Sequence, residues 1–117
     1  MIFYVAAYSI QTTLLIHCLC FNSIRICQCI PHPVTIVAVC SLITPTKKQS
    51  DPSYCAVATS DGFVRLYERN ATQQDVLVQV GLYPTGERIT KMQLLEESPM
   101  QLVVGTQSGS VLVYEIV

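Results

Sequence analysis

From residue 34 to its end the chain alternates between short apolar runs and clusters of turn-forming residues. Seven runs have strand length: residues 34–39, 54–58, 63–67, 76–83, 89–95, 102–105 and 111–116. They are rich in Val, Ile, Leu and Tyr, and none develops a sustained i, i+3, i+4 apolar pattern, so the periodicity predicts strands and no helix after residue 30. Along residues 63–67 the alternation sets Phe63, Arg65 and Tyr67 on one face and Val64 and Leu66 on the other. Residues 43–53, with two prolines and two lysines, read as a loop, as do the polar stretch 69–75, Pro84-Thr85-Gly86 and the acidic turn 96–99. Ser60-Asp61-Gly62 predicts a two-residue hairpin loop, because Asp tolerates and Gly supplies positive φ; Ser108-Gly109 turns the chain in the same way.

The pattern is repetitive. Residues 54–68 (Y-C-A-V-A-T-S-D-G-F-V-R-L-Y-E) and 101–115 (Q-L-V-V-G-T-Q-S-G-S-V-L-V-Y-E) align at an offset of 47, with Val57/Val104, Thr59/Thr106, Gly62/Gly109, Val64/Val111, Tyr67/Tyr114 and Glu68/Glu115 in common. Upstream, residues 34–39 (V-T-I-V-A-V) align with 89–94 (I-T-K-M-Q-L) at an offset of 55, which implies an eight-residue insertion in the first copy, within residues 43–53. A repeat at this period is the mark of a modular array. Each unit reads strand, loop, strand, tight turn, strand, and then a connecting strand into the next. The implied division is an apolar segment 1–30, a first unit 31–83 and a second unit 84–117 that lacks its last strand. Residues 23–30 and 13–21 read as the end of a preceding unit.

Composition narrows the function classes. Of 117 residues, 50% are hydrophobic and 13% charged, which is too apolar for a disordered tail. The net charge of −1 provides no field for nucleic acid or an anionic membrane. Residues 1–24 carry no charge, and the first 21 are long enough to span a bilayer as a helix. They lack a basic n-region, are interrupted by Gln11, Thr12, Thr13 and His17, and are rich in strand-forming residues. Anchor or signal, buried strands, and a poorly chosen start to the reading frame all stand as readings of this segment. Cys18, Cys20, Cys27 and Cys29 form two C-x-C pairs, joined by Cys40 and Cys55. Residues i and i+2 of a strand share a face, so each pair could offer two thiols to one ion, but structural zinc sites usually use C-x2-C on turns. Buried free thiols, suited to an intracellular chain, are the favoured reading, with metal binding and disulfides as the alternatives.

Little in the chain suggests catalysis. His17 and His32 are its only histidines, no serine lies in a G-x-S-x-G context, and Gly105-Thr106-Gln107-Ser108-Gly109 lacks the lysine of a phosphate loop. The expectation is a non-enzyme without cofactor or metal.

The order of strands resembles the WD-repeat β-propeller family, whose blades are four antiparallel strands of roughly 40–45 residues in total, with a histidine before the first and Trp-Asp ending the third. His32, in P-H-P, stands where the family's histidine would; Tyr67-Glu68 and Tyr114-Glu115 stand where Trp-Asp would; residues 84–88 contain no histidine. The resemblance covers roughly residues 24–117 and implies an all-β fold of antiparallel, four-stranded blades in an incomplete propeller. His32, Asp61, Gly62, Tyr67, Gly109 and Tyr114 are its expected structural positions. It further implies a non-catalytic, intracellular protein–protein interaction scaffold whose partners are other proteins and the remaining blades of a parent propeller. Lys47, Lys48 and Asp51 in the inserted loop, and Arg69 at the start of the next connection, are the expected partner contacts. The alternative is a small membrane-anchored or secreted β domain with residues 1–21 as anchor or signal.

Overall fold

Ten strands account for the folded chain in the computed structural model, which describes residues 5–20, 23–42, 53–69, 77–95 and 99–116. They are β1 (Val5–Ile10), β2 (Thr13–Cys20), β3 (Ser23–Pro31), β4 (Ile36–Leu42), β5 (Ser53–Thr59), β6 (Phe63–Arg69), β7 (Leu77–Pro84), β8 (Ile89–Leu95), β9 (Met100–Thr106) and β10 (Val111–Ile116). Every pairing is antiparallel and between neighbours in sequence. The result is an N-terminal sheet β1-β2-β3, a central sheet β4-β5-β6-β7 and a C-terminal sheet β8-β9-β10, none of them closed. Among the described residues there is no helix long and apolar enough to cross a membrane. The apolar start, which is long enough to span a bilayer as a helix, is instead a hairpin, with Val5 opposite Cys18 and Ile10 opposite Thr13.

The three sheets are copies of one plan. Adding 47 to every residue of the β5/β6 pairing gives the β9/β10 pairing, so that Ala58 opposite Val64 becomes Gly105 opposite Val111. Adding 53 to β4 and 47 to β5 gives the β8/β9 pairing, including the irregularity between Ile36 and Ala38, which recurs between Ile89 and Lys91. Adding 50 to β2 and 53 to β3 gives the β6/β7 pairing, and the bulge between Ile16 and His17 becomes the one between Leu66 and Tyr67. Bulges re-aim side chains at fixed positions, so their recurrence ties the copies together more closely than strand number does.

This register corrects the upstream alignment. β4 corresponds to β8 at an offset of 53, not 55. Ten residues, 43–52, separate β4 from β5 and four, 96–99, separate β8 from β9, so the first copy is longer by six residues rather than eight. A two-residue slip leaves every side chain on its own face, which is why the apolar pattern alone fits either register. Val34 and Thr35 belong to the linker before β4, where the Thr35 carbonyl accepts from Ser60 N–H at 2.8 Å.

The turns differ from expectation in detail. The β5–β6 connection has three residues, not two: Gly62 N–H bonds the Thr59 carbonyl at 3.0 Å and Gly62 takes φ +85°, the arrangement of a type I turn closed by a glycine bulge. Gly109 repeats it, bonding Thr106 at 3.1 Å with φ +90°. The β1–β2 turn has one residue fewer, with Gln11 at φ 51° in place of a glycine.

Packing runs in series. Leu14 from β2 meets Ile36, Cys55, Val57, Tyr67 and Leu77 on one face of the central sheet. Ala56, Ala58, Val64 and Leu66, on the other face, meet Ile89, Met92, Leu94, Leu102 and Val104 of the C-terminal sheet. The middle strands β5 and β6 are thus buried on both sides, at about 1.5–3 kcal/mol for each fully buried aliphatic side chain, whereas β7 leaves Val78, Val80 and Leu82 exposed. The alternation along residues 63–67 holds here: Tyr67 lies in one cluster, Val64 and Leu66 in the other.

Candidate functional site

The chain passes from one sheet to the next through short linkers, and the most organised polar chemistry lies at the first of these. Pro31-His32-Pro33 threads between two hairpin turns. His32 N–H donates to Thr12 O and Ile36 N–H to Gln11 O, both at 2.7 Å, so the linker is sewn to the β1–β2 turn. The imidazole is buried. Nδ1 lies 3.1 Å from the Ile30 carbonyl and Nε2 lies 3.0 Å from the Tyr67 hydroxyl. A carbonyl only accepts, so Nδ1 carries the proton and Nε2 accepts from the Tyr67 hydroxyl. The two rings meet edge to face, with centroids 6.1 Å apart at 86°. Burial and then the Arg65 guanidinium hold the His32 pKa below its usual 6.5, which fits a neutral ring.

Around this pair the central hairpin closes on itself. Arg65 Nη1 donates to Thr59 Oγ1 at 2.9 Å, and Thr59 Oγ1 donates to Asp61 Oδ1 at 2.5 Å. The threonine hydroxyl is the main reason the Asp61 carboxyl sits below its ordinary range. Gly62, at the end of the same turn, faces the second linker instead, where a Cβ would lie 2.9 Å from the Glu87 carbonyl. Glu68 stays out of this network and stands directly across the strand pair from Tyr54; burial, then Glu68, raises the Tyr54 pKa.

The second linker performs the same task with different atoms. At the 53-residue offset Thr85 replaces His32. Its N–H and Oγ1 both donate to Gly62 O, at 2.9 and 2.7 Å, and its Oγ1 accepts from Glu87 N–H at 3.3 Å. Ser108 Oγ donates to Glu87 Oε1, and Thr106 Oγ1 lies 3.1 Å from Ser108 Oγ, as Thr59 lies beside Asp61. Tyr114 has no histidine to meet and packs instead on Tyr83, with centroids 5.2 Å apart.

The structure therefore joins His32 to Tyr67 at the first linker, ties Asp61 to Thr59 in the adjoining turn, sets Gly62 against the second linker, and puts Gly109 and Tyr114 at the matching places of the next sheet. Lys47, Lys48 and Asp51 lie outside the described residues. Arg69, expected to open a loop, is the last paired residue of β6, opposite both Ser53 and Leu77. Sequence reasoning missed four participants. Thr59 had a signal, the matched Thr59/Thr106 pair. Arg65 and Thr85 had none. Gln28 had only its polarity within an apolar strand; its amide accepts from Leu77 N–H at 2.8 Å and donates to Leu77 O at 3.2 Å, tying β3 to the start of β7.

Chemically the seam is a clasp. Both nitrogens of His32 are engaged, and the nearby thiols are not nucleophiles: burial pushes Cys40 up to about 11 and Cys55 up to about 12, so both stay protonated. Cys29, Cys40 and Cys55 are free. Among the described residues no three His, Cys, Asp or Glu side chains converge as they would around a metal ion. No protein-family model, curated protein or solved structure matches the chain.

Proposed function

We propose that the chain is a non-catalytic interaction scaffold, built from consecutive degenerate WD-like blades of a β-propeller, that works within a larger protein assembly. The observation that carries this is the seam. A linker histidine meets the aromatic residue of the third strand at 3.0 Å, between sheets whose strand registers recur along the chain and that pack face on face. Such a frame holds loops rigidly along its rims, where partner proteins are met. In this reading the partners are other proteins and further blades. Nucleic acid is not among them, given a net charge of −1. The inserted loop with Lys47, Lys48 and Asp51 is the first candidate contact and the connection after Arg69 the second. Free thiols at Cys29, Cys40 and Cys55 support a reducing, intracellular setting.

The test is the native mass of the chain in extract, measured by size exclusion beside the purified chain. The expected result is a particle containing other polypeptides. A compact 13.0 kDa monomer in both samples sinks the reading.

A further inference from the structure

The outer edge of β7 lacks the usual protection of a sheet border. β7 ends the central sheet, and among the described residues no strand pairs with its far side. Residues 77–84 carry no charge, and Val78, Val80 and Leu82 are 47%, 52% and 50% exposed. β3, β8 and β10 also end their sheets, but they contain Arg25, Lys91 and Glu115. An uncharged, apolar strand edge is a template for pairing with another chain, and charge is one of the common safeguards.

Gln28 supplies a different safeguard. Its amide accepts from Leu77 N–H at 2.8 Å and donates to Leu77 O at 3.2 Å. The two backbone groups of a strand residue point to the same side, so Leu77 turns both away from Arg69, its opposite on β6. A primary amide thus sits where the peptide group of a further strand would sit. The next position on that side is Gln79, two residues on. Val80 has no opposite on β6, because the register steps from Tyr67↔Gln79 to Leu66↔Gly81, and such a bulge disrupts the ladder. Pro84, without an N–H, ends the strand. Ahead of the bulge the edge therefore offers two regular pairing positions, Leu77 and Gln79, and Gln28 holds one of them.

We propose that Gln28 is an edge guard: its side-chain amide fills a strand-pairing position on the outer edge of β7 and keeps that edge from pairing with β7 of a second copy. Antiparallel pairing of two such edges sets uncharged residues against each other, and Val78 and Val80 gain apolar cover across the pair. With Gln28 engaged, Gln79 alone remains ahead of the bulge, too little for a ladder. The inference is independent of the scaffold reading, since it concerns a strand edge and needs no further blade.

The test compares the 117-residue chain with Gln28→Ala and with Gln28→Ala/Gln79→Pro by sedimentation velocity over a concentration series. The proline removes the second outward N–H and is tolerated on an edge strand. Gln28→Ala should self-associate about tenfold or more tightly than the parent chain, as expected when roughly two hydrogen-bonding groups are freed for pairing. The double variant should return to the parent's behaviour. An unchanged association in Gln28→Ala overturns the proposal. So does an association that the proline fails to reverse, because chains that stick through loosened packing would ignore it. Amide hydrogen exchange in the parent chain checks the edge without a variant: Leu77 N–H should exchange about tenfold or more slowly than Gln79 N–H. Equal protection at the two positions would mean that something else already covers the edge, and would overturn the proposal as well.

Discussion

The central and C-terminal sheets share a backbone plan and most of a sequence motif, yet the same positions have different weight in each. Leu66 and Val113 are counterparts; one is 1% exposed and the other 55%. Gly62 and Gly109 both take positive φ, but only at Gly62 would a side chain strike another part of the chain. Tyr67 bonds a histidine, whereas Tyr114 stacks on a tyrosine. Local sequence sets the hairpin, and the neighbouring sheet sets what each residue is worth. Matched substitutions at equivalent positions turn that contrast into measurements, with urea unfolding as the common readout.

The widest gap should appear in the apolar faces. Leu66→Ala is expected to cost about 2–5 kcal/mol, as truncation of a buried leucine does, while Val113→Ala should cost within about 0.5 kcal/mol. Equal losses would mean that Val113 is covered and would break the contrast. The glycines come next. Gly109→Ala should cost about 1–2 kcal/mol for the left-handed backbone alone. Gly62→Ala should exceed it by about 1 kcal/mol or more, because the added methyl meets the Glu87 backbone. For the tyrosines, Tyr67→Phe leaves His32 Nε2 without its donor and should cost about 1–2 kcal/mol; Tyr114→Phe should be close to neutral.

The smallest effect is a pH dependence specific to the seam. The folded His32 pKa is lowered, so near pH 6 the unfolded chain binds more protons there than the folded chain. Stability should fall as pH drops below 6.5 and level off once the folded histidine is also protonated. His32→Gln should flatten that part of the profile. An unchanged profile would show that some other group is responsible.

Much of this was legible in the chain. The strands from residue 54 onward follow from alternation and turn residues, because each has one face against a neighbour and is bounded by Gly, Pro or Asp. His32 and Tyr67 could be singled out, but the bond between them could not, since it depends on a linker crossing the edge of a sheet packed 35 residues away in sequence. β1 went unmarked because its turn, Gln11-Thr12, carries no glycine and its conformation is imposed by pairing rather than by propensity. The register of β4 escaped because a slip of two residues keeps the alternation intact. Thr85 was invisible as the counterpart of His32: the two share a position and a task, but not a side-chain type.

Gln28 has a kinetic consequence. Its amide grips Leu77 across 49 residues of chain, so the grip closes only after the N-terminal and central sheets have each formed and met. An interaction made that late contributes little to the barrier for folding and most of its strength to the barrier for opening. Gln28→Ala should therefore quicken unfolding in stopped-flow measurements and leave the refolding limb in place. One side chain then works as a latch on β7, setting how long the outermost strand of the central sheet stays shut.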